Sequence, residues 1–138
     1  MRNYLANKMK FLRWKLLSLK EECRKLMKKK ILPKRLKRKL EKRREMEKEI
    51  SLDSIVQVEY VMPSMAYMWI IVSGEQISET DFMLYGYSKV LGDWEEDAIH
   101  LSMLKEFEEN VYTEVFRRKP LKRGNTVRDE IAQIIHIE

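Results

Sequence analysis

Apolar residues recur along this chain with two different periods, one in each half. Between residues 4 and 32, Leu5, Leu12, Leu19 and Leu26 stand seven apart, and Met9, Leu16 and Cys23 form a second row four residues after the leucines. That spacing puts both rows on one stripe of a helix, with the leucines at d and the series Met9, Leu16, Cys23, Lys30 at a. A lysine therefore ends the seam after about three heptads. The stripe has two uses: a coiled-coil seam through Leu5, Leu12, Leu16, Leu19 and Leu26 that joins two copies, or an amphipathic helix laid on its own chain, its face widened by Phe11, Trp14 and Leu17. Pro33 cannot continue a helical hydrogen-bond ladder and disfavours helical dihedrals at Leu32, so the first helix ends or kinks there. A second helix is predicted from about Lys34 to Ile50, with the thin apolar edge Leu36, Leu40, Met46 and Ile50.

From Ser51 the period becomes two. "SIVQVEYVMP" places Val56, Val58, Tyr60 and Met62 on one face and Gln57 and Glu59 on the other, and Pro63 closes the strand. "AYMWIIVSG" predicts a second, more fully buried strand ending at Gly74. "DFMLYGYS" predicts a third, in which Gly86 marks a bulge or a close backbone approach. "DAIHLS" reads as a short fourth strand leading to Ser102, the expected N-cap of a helix with Leu104 and Phe107 inward. "VYTEVFRR" alternates again as a fifth, and Thr126 with Asp129 opens a terminal helix in the manner of a capping box. The expected fold class is α+β: an antiparallel sheet of about five strands with one or two helices packed on one face. The expected division is a helix-Pro-helix arm over residues 1–50 and an α+β domain over residues 51–138.

Charge sharpens that division. Residues 1–50 hold 20 Lys or Arg against 6 acids, a net of +14, and residues 51–138 hold 8 against 16, a net of -8. Within the arm, "KKKILPKRLKRKLEKRR" concentrates Lys28, Lys29, Lys30, Lys34, Arg35, Lys37, Arg38, Lys39, Lys42, Arg43 and Arg44 against the single acid Glu41. Such a segment points to phosphates, and binding through it would be salt-sensitive and indifferent to base sequence. Between residues 15 and 59 there is no aromatic residue, which argues against a single-strand stacking platform there. The leucine row precedes the basic segment, the reverse of a basic leucine zipper. The apolar edge of the second helix is too thin for a membrane surface, and no apolar run approaches the roughly 18 residues of a membrane span. One cysteine and the lack of a secretory apolar core lead us to expect a reducing, cytoplasmic location.

Catalytic chemistry finds few residues. His100 and His136 are the only histidines, Cys23 lies far from both in sequence, and the four glycines form no phosphate loop. No cofactor and no His/Cys metal site is expected. Asp93, Glu95, Glu96 and Asp97, with Trp94 among them, form one acidic cluster. It suits a basic partner surface with Trp94 as anchor, or, in a divalent-metal nuclease, carboxylates such as Asp93, Glu95 and Asp97 on a hard cation.

The stretch from Ile55 to Pro120 resembles a small domain of unknown function found in proteins of plasmids, phages and integrative elements. The resemblance rests on "VQVEYVMP", "YMWIIVSGE", the Phe82, Gly86 and Tyr87 cluster, the "HLSML" turn and "EVFRRKP". It implies an α+β fold and a mobile-element context, and it carries no catalytic residues. In size and charge the chain also resembles anti-CRISPR inhibitors. The expected function is therefore a non-enzymatic protein that binds nucleic acid or a nucleoprotein, such as a CRISPR effector, with a coiled-coil oligomerisation or accessory protein and a divalent-metal nuclease as the alternatives.

Overall fold

The computed structural model describes residues 30–137 apart from Leu91, with side chains described as far as Ile135. The predicted seam of Leu5, Leu12, Leu16, Leu19 and Leu26 lies outside these residues, as do Lys28 and Lys29. The fold is α+β. Five strands, β1 (Val58–Met62), β2 (Tyr67–Gln76), β3 (Phe82–Lys89), β4 (Glu95–His100) and β5 (Phe116–Arg118), form one open antiparallel sheet in the order β4-β3-β2-β1-β5. Among the described residues, three helices accompany it: α1 (Lys34–Met46), α2 (Leu101–Glu109) and α3 (Val127–Ile137).

Helices cover both faces of the sheet rather than one. The cause lies in "WIIV": Trp69, Ile70, Ile71 and Val72 are all buried, and successive strand residues point to opposite sides. Trp69 and Ile71 pack with Val58, Tyr60, Met62, Phe82 and Leu84 under Leu40 of α1 and Leu101 and Leu104 of α2. Ile70 and Val72 pack with Val56 against Val127 and Ile134 of α3. Glu59, expected on a polar face, therefore points into the second interior and is completely buried.

The unit containing the sheet begins at Ile31. Leu36 and Leu40, thin as that edge looks in sequence, are enough to seat α1 on the sheet. The helix stops at Met46, short of Ile50, where Glu47 turns extended and its carboxylate accepts a hydrogen bond from Ser54. Gly86 stands opposite Ile71 at a register shift in β2, and a Cβ there would lie 1.8 Å from the Ile70 carbonyl oxygen. Two local expectations change. Residues 111–113 form a 3-10 turn, because the Asn110 side chain accepts from the Tyr112 N–H at 2.9 Å and draws the chain away from the sheet. The acids Glu95, Glu96 and Asp97 stand in β4 itself, not in a loop before it.

Candidate nucleic-acid interface

Of the eleven cations read as a grip, the structure describes nine and sorts them by helix face. At 100° per residue, Leu36 and Leu40 point α1 at the sheet, and Lys37 and Arg44 flank them. The Lys37 ammonium lies 5.7 Å from the centre of the Phe82 ring. Arg44 lies 4.1 Å from the Tyr85 ring, with its Nε 3.5 Å from the Glu75 carboxylate, to which the Tyr85 hydroxyl also donates. That hydroxyl bond, with Arg44 and Lys48 against slight burial, holds the Glu75 carboxyl below its usual range. Both cations serve the fold. Arg43 is half-buried.

The outer arc carries Lys34, Arg35, Arg38, Lys39 and Lys42, all exposed, and Lys30, the last residue of the preceding unit, is exposed as well. None of the five on α1 makes an ion pair among the described residues. From Lys34 to Lys42 the arc runs about 12 Å. The helix N-terminus beside it has no side-chain cap and no acid in its first turn.

The acidic cluster lies on an edge strand. Glu95 pairs with Ser88, Glu96 with Tyr87 and Asp97 with Gly86, so Glu95 and Asp97 share one face and Glu96 takes the other. All three are exposed, as is Asp93. Trp94 is half-buried among the residues that contact α3, with its indole nitrogen enclosed and unpaired. Among the described residues no group of three or more His, Cys, Asp or Glu side chains is arranged to hold a metal ion.

His100 belongs to a small polar cluster that sequence reasoning did not assemble. Its Nδ1 lies 2.8 Å from Asp81, whose carboxylate also accepts from the Ser102 N–H and the Ser102 hydroxyl, each at 3.1 Å. Burial alone would raise the Asp81 carboxyl, yet the bonds from Ser102, His100 and the Phe82 N–H bring it down to about 2. The serine hydroxyl thus serves Asp81, not the histidine, and the cluster caps α2. Ser102 is not the cap residue itself; His100 occupies that position.

A second polar group lies inside the sheet's other face. Burial pushes the Glu59 carboxyl up to about 7, Arg118 at 3.4 Å opposes this, and the Glu130 carboxyl adds to it. Glu130 is itself fully buried and accepts from the Leu121 N–H at 2.6 Å and from Asn125 at 3.0 Å. It pins the turn that leads from β5 to α3. Among the described residues no helix is long and apolar enough to cross a membrane. No protein-family model, no curated protein and no solved structure matches this chain.

Proposed function

We propose that this is a non-enzymatic protein of a phage or other mobile element that binds nucleic acid by its phosphates through the outer face of α1. The observation that carries this reading is the row of exposed cations, without ion-pair partners among the described residues, on a helix whose opposite side is fixed to a sheet. Lys34 with Arg38, Arg35 with Lys39, and Arg38 with Lys42 are like charges four apart, each pair costing about 0.2–0.5 kcal/mol. A surface that needed only solubility would interleave acids, as the far end of α1 does with Glu45. Duplex nucleic acid presents one charge per roughly 1.7 Å of axis, so an arc of about 12 Å meets several phosphates at once. In a narrower form of this reading the partner is the guide-loaded effector of an RNA-guided nuclease, and the acids of β4 stand where phosphates would in a basic channel of that effector.

Fluorescence anisotropy against labelled duplex DNA, hairpin RNA and a guide-loaded effector, across a salt series, tests the proposal. The parent is expected to bind at low salt. Replacing Arg35, Arg38 and Lys42 by Gln is expected to lower the slope of log K against log salt by about 3, at roughly 0.9 per lost B-DNA contact. Absence of binding to all three probes at low salt would sink it.

A further inference from the structure

We infer that the nucleic-acid contact continues off α1 onto the segment 117–123, so that one duplex is held by its phosphates at two places. The inference rests on the reading above and extends it to residues in the half of the chain whose net charge is negative. Six of the eight Lys or Arg that follow residue 50 fall between 117 and 128. Two of the six are committed elsewhere: Arg118 to buried Glu59 at 3.4 Å and Arg128 to Asp53 at 3.5 Å. Lys119, Lys122 and Arg123 are exposed and make no ion pair among the described residues.

The turn carrying them is built, not slack. The Leu121 N–H donates to buried Glu130, the Asn125 side chain donates to Glu130 and to Gln133, and the Asn125 carbonyl accepts from the Val56 N–H at 2.9 Å. Cations on a pinned turn lose little freedom on binding. This turn follows β5, which pairs with β1, and it is β1 that reaches the start of α1. Arg117 is the cross-strand partner of Tyr60, and the Tyr60 hydroxyl donates at 2.7 Å to the carbonyl of Ile31, two residues before the proline that opens the helix. The acids of β4 are at the other sheet edge, four strand spacings or about 19 Å away, where they screen this corner little. No aromatic residue lies between 117 and 126, so the contact is to the sugar-phosphate backbone and carries no base preference.

The test is the same salt titration of the full chain with duplex DNA and hairpin RNA, using Lys119→Gln, Lys122→Gln, Arg123→Gln combined, and Lys105→Gln on α2 as a control for net charge. The triple variant is expected to keep the parent's melting temperature and to lose up to about 3 from the DNA salt slope, while the control keeps its slope. An unchanged slope in the triple variant, with the α1 variant still impaired, overturns the second contact and leaves the function standing. Equal loss per charge in the control overturns it as well, by reducing the effect to net charge. A parent that binds neither probe overturns the reading on which both rest.

Discussion

Glu59 shows how far one buried carboxyl can tilt the behaviour of the fold. Its folded-state pKa of about 7 lies above the ordinary 4.5, so between those values the folded chain holds a proton that the unfolded chain has released. Stability therefore falls as pH rises through this window, and the loss is complete above about pH 7. The difference corresponds to about 3 kcal/mol. Glu59→Gln is expected to unfold at higher urea than the parent at pH 8, to match it near pH 4.5, and so to flatten the dependence between them. Urea titrations at the two pH values check this, and a Gln variant as pH-sensitive as the parent would refute the assignment. Asp81 acts in the opposite sense. Held at about 2 by the bonds it accepts, against the ordinary 3.8, it contributes stability that is present above pH 4 and fades as pH falls towards 2.

On the scale of single elements, α1 carries a conflict between folding and charge. Its first turn holds Lys34, Arg35 and Lys37 where the helix dipole favours acids, and Pro33 at the cap position provides no side-chain acceptor. Lys34→Glu is thus expected to stabilise the fold by about 0.5–1 kcal/mol and at the same time to weaken nucleic-acid binding. Melting temperature and anisotropy on one variant check both halves; a variant that loses both stability and binding would show that the lysine is structural. The elements themselves were largely legible in the sequence, because their signals are local. The alternation around Val58 to Met62 and the apolar run through Val72 fix two strands, and Thr126 and Asp129 do form reciprocal cap bonds at 3.2 and 3.4 Å. Non-local features were not legible. Asp81 caps a helix whose bonded residue lies 21 positions away, and Glu59 is buried only because α3 returns to cover its face. The cations of 117–123 were hidden for another reason: averaging charge over half the chain let the acids of β4 and its surroundings mask them.

For the whole molecule, a central strand with neighbours on both sides and helices above and below defines the most stable region. The amides of Trp69, Ile70 and Ile71 are expected to exchange hydrogen only through global unfolding, and those of Glu95 to Asp97 on the edge much sooner. Native-state hydrogen exchange checks the order, and faster exchange in β2 than in β4 would contradict it. The strand order also governs how the molecule approaches a partner. Because β4 and β5 are the two rims of one sheet, negative and positive charge are held apart by a stiff body, and no hinge lets them collapse together. If the proposed function holds, a phosphate lattice would exert a torque on such a body and turn its basic rim inward before contact. The search over orientations that slows most docking would then be partly complete at encounter, and the association rate, more than the dissociation rate, is expected to carry the sensitivity to salt.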